Sequence, residues 1–414
     1  MKIGLTTRIF LGMIAGIIVG YFYRLAHPLP ADYGLFAENI QVLSDIFLRL
    51  IKMIIAPLVF TTLVVGVAKV GDFKSVGRIG IKTLLYFQFA TILALTLGLV
   101  LVHVFEPGKV MQLPLPPQDA ASGVASKVPT FKDFISHVIP KSVVEAMANN
   151  EILPIVVFAL FFGVATSAMG DKSKGIVNAF DVIAHIMFKV TNYVMLFAPF
   201  GVFGAIAAIV AREGIGIISG YIYLIGCFYF GLFFFGFIIL GSICLILRIP
   251  FLKLLATIKE PMLLAFSTAS SESAFPKTVE ALEKYGCSNR IISFVLPLGY
   301  SFNLDGSIMY MTFATVFIAQ SYGIEFTIAQ EITMMLMLLV TSKGMAGVPR
   351  ASLVVIAGML SSFNIPEAGL LLLLGVDQLL DMGRSATNVI GNAVATAVVS
   401  KWEGELEINK AVNS

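Results

Sequence analysis

Near the C-terminus a polar stretch, DQLLDMGRSATNVIGN (residues 377–392), is set between the apolar runs AGLLLLLGV (368–376) and AVATAVV (393–399). At about 100° per residue, Asp377, Asp381, Arg384, Ser385, Asn388 and Asn392 fall within roughly a 100° arc of one helix face. A helix flanked by apolar sequence and charged along one stripe belongs in a bilayer, with the stripe turned away from lipid. Ionisable groups at that depth are costly, and they mark a substrate or ion path.

The rest of the chain supports that placement. Of 414 residues 58% are hydrophobic and 13% charged, too sparse a charge to cover a globular surface. Many runs approach or exceed the ~20 apolar residues that span a bilayer. Backbone groups in lipid must be satisfied within their own segment, so the expected fold class is an all-α integral membrane protein. A net charge of +3 with no basic tract argues against a nucleic-acid partner. Cys227, Cys244 and Cys287 form no metal or redox spacing and read as small apolar packing residues, and the four histidines make no ligand set. No cofactor is expected. The first segment is too long for a signal peptide and lacks its small-residue cleavage site, so it reads as a retained helix.

Taken in order, segment one runs from about 6 to 25, with a polar connection from Leu25 to Asn39. Segment two (about 43–70) carries Lys52 and Pro57, and Lys69, Lys74, Arg78 and Lys82 follow as a basic, cytoplasmic loop. Segment three (about 82–105) ends at Glu106-Pro107-Gly108, before an outer loop. Segment four is broken by a polar patch at Ser142–Glu151; segment five covers about 176–209, Arg212-Glu213 is an outer turn, and segment six covers about 215–247. Lys172 and Lys174, and then Arg248, Lys253 and Lys259, make two further basic clusters; all three fall on one side, which puts both termini in the cytoplasm. Beyond residue 250 come two similar units, each a short-armed hairpin followed by a helix with buried polar groups: hairpin 251–284 with segment seven (290–319), and hairpin 331–362 with segment eight (365–402). Short, interrupted segments at corresponding positions of two repeats point to a binding site near the midplane. Helix N-termini at the hairpin tips would offer unpaired N–H groups to an anion.

Four motifs, STASSESAFP, NLDGS, SKGMAGVP and DMGRSATNVIGN, carry a resemblance that extends over the whole chain. The sequence resembles the dicarboxylate/amino acid:cation symporters, the group of the glutamate and aspartate transporters, and within it the bacterial proton/glutamate branch. The resemblance implies eight transmembrane segments and two re-entrant hairpins in inverted repeats, in an elevator-type homotrimer of the bacterial plasma membrane. Residues 1–80 and 107–210 would form the scaffold; 81–106 and 211–402 would form a moving transport domain; 403–414 would be a cytoplasmic tail.

Arg384 is the first candidate for the substrate, since a planar guanidinium takes a carboxylate bidentately; the alternative is a structural pair with Asp377 or Asp381. Carried over from the family, Arg384 holds the side-chain carboxylate of the substrate, Asp381 and Ser385 its ammonium, and Asn388 its α-carboxylate. Ser307 stands near the side-chain carboxylate, Ser270 and Ser271 meet the α-carboxylate, and the backbone of Gly347 and Val348 closes the outer gate. Retention of Asp381 favours glutamate or aspartate over a C4-dicarboxylate, which has no ammonium.

For coupling, Asn303 and Asp305 match cation-site positions of sodium-coupled relatives, with Gly299 and Asn388 as further sodium candidates. Asn392 stands where a second acid is expected, however, Phe87 and Ala90 stand where those relatives place Tyr and Thr, and Met345 replaces a smaller residue. Only Thr91 retains a hydroxyl, and a neutral amide weakens a hard-cation site. These departures favour protons, with Asp305 or Glu272, taken out of water, as carrier; for Glu272 the alternative is a hairpin-tip acid bonding backbone N–H groups. Sodium coupling stays open as the alternative. The readings from other classes are a passive anion channel, disfavoured by the charge-compensated Asp381–Arg384 arrangement, and an intramembrane aspartyl enzyme, disfavoured by the placement of Asp377 and Asp381 on one helix beside Arg384. The chain has no P-loop for ATP-driven transport.

Overall fold

The computed structural model describes residues 5–70, 73–111, 115–116, 138–214, 216–343 and 351–408, and among these it is helical throughout, apart from one isolated antiparallel bridge between Cys287 and Leu406. Among the described residues six helices are long and apolar enough to cross a membrane by length and composition: Thr7–Ala26, Pro30–Ala68, Gly77–Val110, Gly170–Arg212, Tyr221–Ile246 and Asn289–Ser321. Large apolar side chains such as Phe10, Leu11, Ile18, Phe22, Phe230 and Phe233 lie exposed along them. Apolar exposure on that scale is a lipid-facing surface.

Helices α1 (Leu5–Ala26) and α2 (Pro30–Val70) open the chain. The connection expected over Leu25–Asn39 is therefore only a few residues long. Pro30 at the first helical position and Asp32 in the first turn are strong helix starters, and polar residues on an exposed helix face look like loop in sequence. Likewise α3 (Phe73–Phe105) begins within the stretch expected as a basic loop, so Lys74, Arg78 and Lys82 are helical. The cationic turn has a use: Arg78 and Lys82 hold the buried Glu403 carboxylate at 2.9 and 2.6 Å and tie α3 to the end of the last helix.

Most of the polar patch expected as the break in segment four is helical, Val143–Ala148, and the chain interrupts at Asn149–Glu151 before α4 (Ile152–Ala168); residues 131–137, the arm expected ahead of the patch, lie outside the described residues. Next come α5 (Lys174–Val194) and α6 (Ala198–Glu213), joined by one tighter turn ahead of Pro199. Arg212 and Glu213, expected as a turn, complete α6, and the reversal falls on Gly214, whose φ of +68° suits glycine. α7 (Gly216–Phe233) continues through one wide turn, Phe234–Ile239, into α8 (Leu240–Ile246). The first hairpin is α9 (Phe251–Thr268) and α10 (Phe275–Tyr285); α11 (Asn289–Phe302) and α12 (Asp305–Ser321) form the interrupted seventh segment. Then follow α13 (Ile328–Thr341), α14 (Ala351–Ser362) and α15 (Asp377–Glu403).

Packing divides the helices by partner. α1, α4, α5 and α6 pack around α2, or on each other; α3 and α14 pack on α12 and α9 on α15, while α11 packs on both α15 and α2 and so bridges the two groups. The α1–α6 contact follows from a small-residue stripe. A Cβ added at Gly12, Gly16 or Gly20 would come within 2.5, 2.8 and 2.6 Å of the carbonyl oxygens of Pro199, Phe203 and Ala207. With apolar lipid on all sides, such backbone approach is a main source of helix association. Replacing Gly16 by Leu should therefore cost about 1–3 kcal/mol by overpacking. The control Leu11→Ala, on the lipid side, should stay within about 0.5 kcal/mol; thermal unfolding of the purified variants in detergent reads the difference.

Candidate functional site

Two interruptions in the helices build the site. At Asn303–Leu304 the chain leaves α11 and restarts as α12 at Asp305. At Gly375–Val376 it leaves the single turn Leu371–Leu374 and starts α15 at Asp377, so the apolar run 368–376 does not continue into α15 as one helix. Both restarts put an aspartate in a first helical turn, where the N-terminal dipole favours an anion. The polar stripe of α15 then lies against the α11–α12 break.

At its centre Arg384 is 2% exposed. Its Nη2 donates to Asp377 at 3.1 Å and pairs with Asp381 at 3.0 Å. The guanidinium carbon lies 3.9 Å above the Tyr310 ring, and the Tyr310 hydroxyl donates to Asp377 at 3.1 Å. Stacking and pairing together make up for some of the lost hydration. The structural pair with Asp377 or Asp381 thus forms with both residues. It leaves capacity unused: Nε and Nη1 are buried with no hydrogen-bond partner among the described residues. The two carboxylates also differ, since the Asp377 side chain is 3% exposed and that of Asp381 30%.

One turn along α15, Asn388 grips the start of α12. Its Oδ1 accepts from the backbone N–H of Gly306 and Ser307 at 2.9 and 3.4 Å, and its Nδ2 donates to Ser307 Oγ at 3.1 Å. Ser385 is buried between Arg384 and Asn388 in sequence. On the other side of the break Asp305 is fully buried: Oδ2 accepts from Asn303 at 3.1 Å, and Oδ1 has no partner among the described residues. Asn303 also donates to Asn392 Oδ1 at 3.4 Å, leaving Asn392 Nδ2 without a partner among them. Gly299 turns its carbonyl to the Asn303 N–H at 2.8 Å, with Asn392 packed on its Cα and the Phe87 ring nearby. Ala90 is fully buried.

The tip of the first hairpin closes on itself. Ser273 Oγ donates to the Ser270 carbonyl at 2.7 Å, and Ser270 Oγ accepts from the Ser273 N–H at 3.3 Å. Ala265, Ala274 and Val389 pack together, which seats this tip on α15 one residue past Asn388. Ser271 is buried there, and Glu272 is partly buried beside it. Gly347, Val348 and Met345 lie outside the described residues. The remaining candidate, Thr91, is buried on α3 and accepts from the ammonium of Lys343 at 2.7 Å.

Sequence reasoning passed over Lys343 and Tyr310. A lysine closing an apolar arm, in TSKG, is a signal in itself, because an intramembrane lysine demands a partner. Tyr310, inside an unbroken apolar run, carries no comparable signal.

The paired helix breaks thus gather a cluster of buried charge with spare donors. The model of the sodium:dicarboxylate symporter family matches residues 5–402. The chain belongs to that family. It is similar to the proton/sodium-glutamate symport protein of Bacillus caldotenax, at 42% identity over 99% of this chain and 97% of the relative. The proton/glutamate-aspartate symporter of Escherichia coli K12 is 41% identical over 100% and 96%. A C4-dicarboxylate transport protein of Geobacter sp. strain M21 is 43% identical over 95% and 89%. This symporter is accordingly a membrane-spanning, cation-coupled transporter and not an enzyme.

Within the symporter, Gly306 is a point of close backbone approach between α12 and α15 at the site. A Cβ there would meet the Arg384 carbonyl oxygen at 2.7 Å and its Cα at 2.9 Å. Gly306→Ala should push the helices apart at a cost of about 1–3 kcal/mol. A lowered unfolding temperature together with lost substrate-dependent thermal stabilisation is the expected result in purified protein.

Proposed function

We propose that this symporter imports acidic amino acids, L-glutamate or L-aspartate, coupled to protons. One observation carries the reading: a buried guanidinium with two nitrogens, Nε and Nη1, that find no partner among the described residues shares its site with a partly exposed carboxylate 3.0 Å away. An anionic carboxylate satisfies the first and an ammonium the second, so an acidic amino acid answers both. In this assignment Arg384 takes the side-chain carboxylate and Asp381, with Ser385, the ammonium. Asn388, with an amide hydrogen to spare beyond Ser307, and Ser270 and Ser271 of the first hairpin take the α-carboxylate. Ser307 lines the side-chain end, and Gly347 and Val348 cover the substrate from the second hairpin.

A C4-dicarboxylate is the second reading, favoured by the identity to a transport protein of that name. It brings no ammonium for the partly exposed Asp381 carboxylate to accept. Sodium is the alternative coupling ion, named together with the proton for the Bacillus caldotenax relative.

The movement assigned here is an elevator. The α3, α7–α15 group would slide against a trimeric scaffold of α1, α2 and α4–α6, with both termini in the cytoplasm of a bacterial cell. Eight crossings result when the broken α4 segment and the polar α15 are added to the six long apolar helices. The face between the two groups suits sliding: a cavity of about 360 Å³ opens there, lined by Thr62, His185 and Asn192 on one side and by Glu280, Lys284 and Arg290 on the other.

Purified protein in sealed liposomes tests the reading. A proton gradient alone should drive accumulation of labelled glutamate or aspartate, and a sodium gradient alone should not; a requirement for sodium overturns the coupling assignment. Asp381→Asn should lower uptake of the amino acids by about 10- to 100-fold, the worth of a charged hydrogen bond, and spare succinate. Equal loss for succinate, or succinate as the preferred substrate of the unaltered protein, overturns the role of Asp381.

A further inference from the structure

A second buried cation lies outside the Arg384 cluster. Lys343 follows the last turn of α13 and is 9% exposed. Its ammonium donates to Thr91 Oγ1 on α3 at 2.7 Å and to the Phe302 carbonyl, at the end of α11, at 2.8 Å. Asp305, the first residue of α12, is the fully buried carboxylate three residues beyond that carbonyl, and its Oδ1 has no hydrogen-bond partner among the described residues. A hydroxyl and a backbone carbonyl from two separate elements, with a buried carboxylate three residues along the chain, are oxygens of the kind a hard cation takes. The pocket holds an ammonium instead, a compact point charge with three hydrogens to give.

We propose that Lys343 is a built-in cation. Its ammonium stands in the Thr91–Phe302–Asp305 pocket where a monovalent metal ion would otherwise sit, and so closes that pocket to sodium. A metal ion sharing the pocket would face a like charge within a few ångströms in a dry interior, where repulsion is strongest. The neutral Asn392 amide on the far side of Asn303 adds no second carboxylate to relieve it. Lys343 is thereby a specificity-determining residue for the coupling ion. The inference rests on the sodium-independent reading above.

The test compares full-length wild type, Lys343→Ala and Lys343→Arg in sealed liposomes, following exchange of labelled for unlabelled glutamate in choline and in sodium. A parallel series follows the unfolding temperature of each purified protein in the two salts. Wild type and Lys343→Arg should be indifferent to the salt in both measurements. Lys343→Ala should exchange about 10-fold more slowly in choline, the worth of a charged hydrogen bond. Sodium should restore that exchange and raise the variant's unfolding temperature. Lys343→Ser, which adds an oxygen to the emptied pocket, repeats the test should the alanine variant not fold. If the variants respond to sodium no more than wild type, the lysine is only a tie between α13, α3 and α11, and the inference fails. If wild type itself requires sodium, the coupling reading fails at the control, and this inference with it.

Discussion

The structure turns on keeping one guanidinium out of both water and lipid. An isolated charge moved to a low-dielectric interior costs many kcal/mol, and removing one partner of a buried pair costs about 3–5 kcal/mol because the other is stranded. Arg384 is tolerable only because Asp377, Asp381 and the Tyr310 face surround it. Those partners come from one helix and from the neighbour packed on it. The contact of α12 with α15, the grip of Asn388 on the Gly306 and Ser307 N–H groups, and the glycine at 306 all hold that arrangement in register. The compensation is incomplete, and the proposed substrate carboxylate would complete it.

The same economy governs the helix breaks. A chain that leaves helical geometry inside a bilayer exposes N–H and C=O groups that lipid cannot satisfy, so irregular backbone at that depth survives only where protein or ligand supplies partners. At the Asn303–Leu304 break those partners are the Asn388 amide oxygen, which accepts from the Gly306 and Ser307 N–H groups, and the ammonium of Lys343, which donates to the carbonyl of Phe302. Removing such a lysine or asparagine therefore changes backbone solvation as well as charge. That coupling is why conservative variants, rather than alanine alone, separate the roles.

Much of this was legible in the sequence. The polar stripe on α15, the NLDGS interruption and the short hairpin arms stand out because charge and helix-breaking residues are rare in apolar runs; the helical periodicity then assigns Arg384 and Asn388 to one face. Helix boundaries were less legible. Residues 30–39 and 73–82 are polar and yet helical, since Pro30 and the exposed faces of α2 and α3 meet no apolar partner that would print a periodicity. The interruption at Gly375–Val376 was hidden by the uniform leucine run before it. Partner choice was least legible: that Lys343 reaches Thr91, 252 residues away, and that Tyr310 roofs Arg384, are facts of packing that no local pattern encodes.

The central claim is that the unspent donors of Arg384 hold the substrate. Equilibrium binding of labelled glutamate and aspartate to purified wild type, Arg384→Lys and Arg384→Ala tests it most directly. The account predicts that lysine, which keeps the charge and loses the fork, weakens binding about 10-fold or more, and that alanine weakens it further. Binding to the folded alanine variant within about 2-fold of wild type, less than the smallest net hydrogen-bond contribution, would contradict it.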